Sequence, residues 1–397
     1  MKNSHRWTFS ARFRRHAFGW RSQPAITRIR EAVTEIKKTA RTDAILGADG
    51  AVLLIEKLSP ALEQVDSSSG SIGTAVNHAI ETLVPIIGRA PAPEETRHNW
   101  LDRLWTAMQD DDIPYIENLG EFWGDLCATP ECASSWADKL IATARLARSP
   151  DPALRGYFKG TSACFSALLK AGRNKEILEL LRLSPRNFWA DGKWGVRALV
   201  ALGKPGEALR LAEACGASDS PYAVARECEQ ILLASGMTEE AYKRYAIEAN
   251  QHGTFLATFQ AIAAKYPCKS PEQILHDLVE STPGQEGKWF VAVKSVGLYK
   301  EAIVLANRTP CDPRTLTRAA RDMANEEPLF ALEAGMAALR WLAQGYGYEI
   351  TGADVWSAYD NTLKAAEKVE RRSETLQRIR KLASGFVLQV LGRELGL

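Results

Sequence analysis

The sequence predicts an all-α protein, an α-solenoid of irregular helical hairpins with helical flanks on both sides. Three observations carry this. A glycine-centred phrase recurs at a nearly fixed period, as expected for stacked repeats. Every strong hydrophobic periodicity in the 397 residues has the 3.6-residue spacing of a helix. No alternating apolar pattern with hairpin turns is evident.

The phrase appears as LLKAGRNKEILELLRLSP, LVALGKPGEALRLAEACG, ILLASGMTEEAYKRYAIE and VAVKSVGLYKEAIVLANRTP. Its glycines are Gly172, Gly203, Gly236 and Gly297, spaced 31, 33 and 61, and a degenerate copy fills the long interval around Ala264 to Leu278. Four residues before each glycine stands Leu168, Leu199, Leu232 or Val293. This reads as a helix, a tight turn and a second helix. The glycine supplies the left-handed conformation that closes the first helix. Glu176, Glu207, Glu240 and Glu301, four residues after each glycine, fall in the first turn of the second helix, where a negative charge meets the positive end of the dipole. They are punctuation and not a set of catalytic acids.

The phrase Gly-x-x-x-Glu-Ala, clearest in LGKPGEALRLA and VGLYKEAIVLA, resembles the interhelical turn and second helix of tetratricopeptide repeats over residues 155–310. The resemblance implies a right-handed solenoid that holds a partner protein or peptide in a concave groove. One feature departs from the pattern: the small residue expected seven before the turn glycine is Phe165, Val196, Glu229 and Phe290. In such repeats the first helix of each hairpin lines the groove, at about thirteen, ten, six, three and two residues before the glycine. Those offsets select Lys159, Lys170, Lys193, Arg197, Arg226, Gln230 and Lys294, with no acid at any of the positions. An acidic peptide or a terminal carboxylate is the expected occupant.

The flanks are also helical in pattern. PAITRIREAVTEIKKTA places Pro24 at a helix start and Ile26, Ile29, Val33 and Ile36 on one face. DSSSGSIGTAVNHAIETLVPII opens on Asp66 to Ser69, residues suited to capping, and continues with Ile72, Val76, Ile80 and Leu83. ETRHNWLDRLWTAM, ASSWADKLIATARLA, PLFALEAGMAALRWLAQ and ADVWSAYDNTLKAAEKVE read alike. The expected organisation is a basic aromatic arm over 1–23, helices over 24–150, repeats over 151–310 and C-terminal helices over 311–397. GRAPAPEE and SPDPALRG are the expected seams.

The net charge of +2 conceals an asymmetry, because residues 1–30 hold eight lysines and arginines and no acid. The remainder is therefore acidic. Residues 94–125 alone carry nine acids against Arg97 and Arg103, so the arm is expected to dock on its own acidic body or on a neighbouring copy. The alternative for the arm is nucleic acid, with arginines on phosphates and Trp7, Phe9, Phe13, Phe18 and Trp20 on bases. No run approaches the ~18 apolar residues of a membrane span. The seven cysteines contain no CxxC pair, which supports neither a disulfide framework nor a zinc site and fits a reducing cytoplasm.

No cofactor or catalytic motif stands out. DSSSGSIG lacks the GK[ST] ending of a phosphate loop. Glu272, His276 and Glu280 share a helix face in EQILHDLVE, as do His78 and Glu81, and both read as solvated polar faces. The acids of QDDDIPYIENLGEFWGDL match no calcium-loop spacing, and no GxSxG occurs. The tryptophans, dense between Trp100 and Trp136, read as core. The expected function is a non-enzymatic scaffold for a partner segment, with nucleic-acid binding through the arm, or an enzyme component of a larger complex, as the alternatives.

Overall fold

The computed structural model describes residues 5–184, 187–216 and 220–397; Lys2 of the arm and Pro185 of the first repeat phrase lie outside them. Among the described residues there is helix and no strand. Two compact units divide the chain, 1–224 and 225–397.

The first unit contains α1 (Ser22–Ala40), α2 (Ala44–Leu62), α3 (Ser71–Arg89), α4 (Glu94–Gln109), α5 (Trp123–Cys127), α6 (Pro130–Ala147), α7 (Thr161–Lys170), α8 (Asn174–Leu183), α9 (Trp189–Ala201) and α10 (Pro205–Gly216). The division falls within α11 (Pro221–Ala234). The second unit continues with α12 (Thr238–Ala249), α13 (Phe255–Lys265), α14 (Pro271–Glu280), α15 (Phe290–Ser295), α16 (Tyr299–Arg308), α17 (Pro313–Met323), α18 (Pro328–Ala343), α19 (Gly352–Lys368), α20 (Arg372–Leu382) and α21 (Gly385–Leu395). Within each unit helices pack on their sequence neighbours, as in α6 on α7, α9 on α10, α17 on α18 and α18 on α19. This is the stacking of an α-solenoid.

The turn glycines do what the repeat requires. Gly172, Gly203, Gly236 and Gly297 have φ of +72°, +73°, +74° and +82°. The N–H after each glycine bonds the carbonyl of the apolar residue four before it: Arg173 to Leu168 (2.9 Å), Lys204 to Leu199 (2.9 Å), Met237 to Leu232 (2.9 Å) and Leu298 to Val293 (3.3 Å). A second bond joins the glycine N–H to the carbonyl three residues back. This is the Schellman closure, which satisfies carbonyls that the helix end would leave without partners. The degenerate copy is a hairpin as well, α13 and α14, whose helices are capped by Thr254 and Ser270.

The bulky residues before the glycines join successive hairpins. Phe165 stacks on Trp194 at 6.4 Å between centroids and Phe290 on Phe330 at 5.9 Å. Glu229 is a buried carboxylate in the same role. The tryptophan cluster is core: Trp123 meets Trp136 at 4.9 Å and Trp105 at 5.5 Å, and Trp100 donates to Asp49.

The arm docks on α1 and α2. Trp7, Phe9, Phe13 and Phe18 are buried, and Trp7 lies flat against Gly50, where any side chain would strike its indole. Glu35 accepts from the Thr8 N–H and hydroxyl, Arg12 pairs with Glu31, and Arg15 with Glu63. The receiving acids are thus Glu31, Glu35 and Glu63, not those of residues 94–125. Three of those are committed elsewhere: Asp111 accepts the Ile116 N–H, Glu117 meets Tyr157 and Glu121 pairs with Lys193. A smaller difference concerns α3, which begins after Gly70 in a left-handed conformation, while the Asp66 carboxylate accepts the Ser68 N–H within the preceding turn.

Candidate functional site

The second unit holds a pocket of about 350 Å³ lined by α17 and α19. Its first wall exists because Asp312 accepts the Thr315 N–H and Pro313 sits at the start of α17. Leu316, Ala319 and Ala320 are buried on one face of that helix. Arg314, Arg318 and Arg321, spaced by four and three residues, therefore share the other face and line the pocket. The facing wall begins with a capping box, in which Thr351 and Asp354 close the start of α19. Ser357 and Asn361 follow Asp354 along that face.

The three guanidinium groups differ. Arg314 is locked by Asp354, with Nε to Oδ1 at 2.7 Å and Nη2 to Oδ2 at 3.0 Å, and it also donates to the Glu349 carbonyl. The Arg314 hydrogen bonds hold the Asp354 carboxyl well below the usual carboxylate range. Arg321 pairs with Asp322 at the surface, a weak attachment. Arg318 donates to the Thr315 hydroxyl at 3.1 Å and to the Arg314 carbonyl. Among the described residues no carboxylate stands within ion-pair distance of Arg318. The lining has three cations against one anion, flanked by the Thr317 and Ser357 hydroxyls and the Asn361 amide. Such a set can hold an anionic group by charge-assisted hydrogen bonds.

The sequence reading had selected other residues. Lys193 and Arg197 come together around Trp194, at 5.7 and 5.5 Å from its ring centroid, and Lys193, 13% exposed, is paired with Glu121 at 2.5 Å. Lys159 donates to the carbonyls of Gln109 and Asp111, both at 2.9 Å. Lys170 is exposed at the end of α7. Arg226 and Gln230 are exposed one turn apart on α11, and Lys294 is half-buried at the end of α15. The first four belong to one unit and the last three to the other. Arg314, Arg318 and Arg321 were missed, although RTLTRAAR displays their helical spacing, because they lie beyond the last glycine phrase.

The remaining polar candidates have neighbours within the protein. Glu176 is held by Arg173 through two hydrogen bonds, and Glu207 by Lys204. His276 is exposed and touches Glu280 at 3.5 Å; among the described residues no group of His, Cys, Asp and Glu is arranged to hold a metal. No described helix is long and apolar enough to cross a membrane. No protein-family model matches the chain, and no curated protein or solved structure is significantly similar to it.

Proposed function

We propose that the chain is a non-enzymatic protein-binding scaffold, tetratricopeptide-like in its repeats, that receives an acidic segment of a partner protein in the cytoplasm. The observation that carries this reading is Arg318, a cation of the pocket lining with no carboxylate in ion-pair contact among the described residues. Arg314 and Asp354 keep the pocket's walls in place, so a ligand carboxylate meets donors that are already oriented. Each such contact contributes roughly 1.5 to 3 kcal/mol where it is desolvated. Lys193 and Arg197 around Trp194 supply a basic station of the first unit, with Lys159 and Lys170 as its further contacts, while Arg226, Gln230 and Lys294 are the further contacts within the second unit. The free thiols of all seven cysteines suit a reducing compartment.

The test is fluorescence anisotropy with a labelled peptide containing six consecutive glutamates, at several salt concentrations. Binding should weaken with salt and fall by about tenfold or more in Arg318→Glu, as expected for loss of one charge-assisted contact. Equal affinity for the wild type and for Arg318→Glu removes the pocket from the reading. Equal affinity for Lys193→Glu, Arg197→Glu removes the station of the first unit.

A second reading is favoured by one observation: Trp20 is 73% exposed beside Arg21 while the other arm aromatics are buried. That leaves a single indole among exposed arginines to meet a polyanion such as single-stranded nucleic acid. A labelled oligonucleotide that binds the wild type and Trp20→Ala, Arg21→Glu equally well would rule it out.

A further inference from the structure

The cations of the arginine pocket exceed what its own carboxylate can neutralise. Three arginines against one aspartate leave the lining at +2. Asp354 commits both oxygens to Arg314, at 2.7 and 3.0 Å, so the surplus falls on Arg318 and Arg321. Among the described residues Arg321 meets one carboxylate, that of Asp322, which lies outside the lining. The side chains of that pair are 60% and 53% exposed, and a pair so exposed holds its partners weakly.

Donors accompany the charge. Arg314 and Arg318 use Nε and Nη2 within the protein, and Arg321 uses Nε alone. Among the described residues Nη1 of Arg314, Nη1 of Arg318 and both Nη groups of Arg321 have no acceptor. Residues three apart on a helix face have Cβ atoms about 5–6 Å from each other, so the guanidinium groups of Arg318 and Arg321 can close on one small group. On the facing helix the Ser357 hydroxyl accepts from Asn361 Nδ2 at 3.3 Å and keeps its own hydrogen to donate.

A carboxylate brings one charge and two oxygens, which a single guanidinium fork already occupies. A phosphate monoester brings a charge of roughly −1.5 to −2 at neutral pH and three strong acceptor oxygens. The second matches the surplus charge and has an oxygen for each of Arg318, Arg321 and Ser357. Among the described residues no aromatic ring lines the pocket, so a nucleobase would find no face to stack on. A phosphate on a short aliphatic stem fits better.

We propose that the arginine pocket binds a phosphorylated serine or threonine within the acidic segment of the partner protein. This rests on the reading of the pocket as the seat of that segment, and adds that phosphorylation of the partner strengthens its binding.

The test compares two labelled peptides of equal length and charge by fluorescence anisotropy at one ionic strength: six glutamates, and four glutamates with one phosphoserine and one alanine. The full chain should bind the phosphopeptide about tenfold tighter, the factor that one added charge-assisted contact supplies. Two variants at exposed positions locate the preference. Arg318→Lys keeps the charge but not the fork, and should bring the two affinities to within about twofold of each other. Ser357→Ala should weaken the phosphopeptide by about threefold, as for one lost hydrogen bond, and leave the glutamate peptide unchanged. Inorganic phosphate alone should displace the phosphopeptide only at concentrations far above the peptide's own Kd. Equal affinity of the wild type for the two peptides overturns the proposal and leaves the acidic-segment reading standing, whereas binding of neither overturns both. A phosphopeptide preference that survives intact in Arg318→Lys and in Ser357→Ala places the phosphate elsewhere and overturns the proposal. Displacement by inorganic phosphate at the peptide's own Kd makes the pocket a site for the free ion and likewise overturns it.

Discussion

Phe165 and Glu229 occupy the same repeat position, seven residues before a turn glycine, one in each unit. Phe165 is buried, stacks on Trp194 and has the Arg148 guanidinium over its ring, 5.4 Å from the centroid. Glu229, 1% exposed, accepts from Asn250 Nδ2 at 2.7 Å, from the Tyr266 hydroxyl at 2.6 Å and from Lys265 Nζ at 2.6 Å. Lys265 also donates to Asn250 Oδ1, closing the network. Both residues tie one hairpin to the next, by opposite chemistry. A stacked ring contributes through area and tolerates small changes of geometry, whereas a buried carboxylate is stable only with its full set of donors. The joint thus requires an occupant of the right reach and leaves the type of interaction open.

The largest expected effects fall on these two positions. Glu229→Ala removes the acceptor that Asn250, Tyr266 and Lys265 share and should cost about 3 to 5 kcal/mol, the range for breaking a buried charged pair. Phe165→Ala should cost a similar ~3 to 5 kcal/mol through the cavity it opens. Urea denaturation followed by helical circular dichroism would measure both. The comparison sharpens with conservative replacements: Phe165→Leu should recover most of the loss at its site, while Glu229→Gln should not, since an amide has one acceptor oxygen where three donors converge. If Glu229→Gln melts like the wild type, the joint is held by packing in both units and the contrast fails.

How much of this was readable in advance depended on whether local chemistry forces the answer. The glycines were legible because a left-handed residue before a second helix nearly demands glycine, and the observed φ values agree. The arm's docking was legible from its charge and its apolar aromatics, but its seat was not. Charge counting pointed to residues 94–125, where Asp111, Glu117 and Glu121 are already engaged by a backbone N–H, Tyr157 and Lys193, and only packing reveals that commitment. Glu229 stood out as a misfit, yet its partners come from 21 to 37 residues away, beyond any local pattern. The arginine pocket was hidden differently. Its spacing on α17 is visible in the sequence, but the facing Asp354 and Ser357 become relevant only once α19 is folded against it.

Middle-sized effects test whether the two units share one turn. Gly203 and Gly297 lie in different units, and a Cβ at either meets nothing within 4 Å. Valine there should therefore cost only the left-handed strain, about 1 to 2 kcal/mol at each. A loss in one unit alone would mean that the other turn relaxes to a different conformation. Low pH tests one bond of the second unit. Asp354 in the second is held below its unfolded value by Arg314, so its contribution is complete above an unfolded pKa of about 4 and drains as pH falls towards the folded value. Asp354→Asn should lack that part of the acid dependence. If the acid limb is the same in both proteins, the Arg314 bond does not outlast solvation.

The smallest expected effect addresses the repeated glutamate itself. Glu207 sits in the first turn of α10 and Glu301 in the first turn of α16, one in each unit. Glu207 also meets Lys204 at 3.0 Å across a half-exposed surface. A charge at that place interacts with the helix N-terminus by about 0.3 to 1 kcal/mol, and an exposed pair adds little. Glu207→Gln and Glu301→Gln should each lower the melting midpoint slightly, by similar amounts, and less so in high salt, which screens the dipole interaction. Peptide affinity should be unchanged, because neither residue lines the arginine pocket. The structural reading fails if either substitution leaves stability intact but abolishes binding. In that case the glutamate's fixed phase would reflect contact with a ligand, and the two units would differ in chemistry at their turns as well as at their joints.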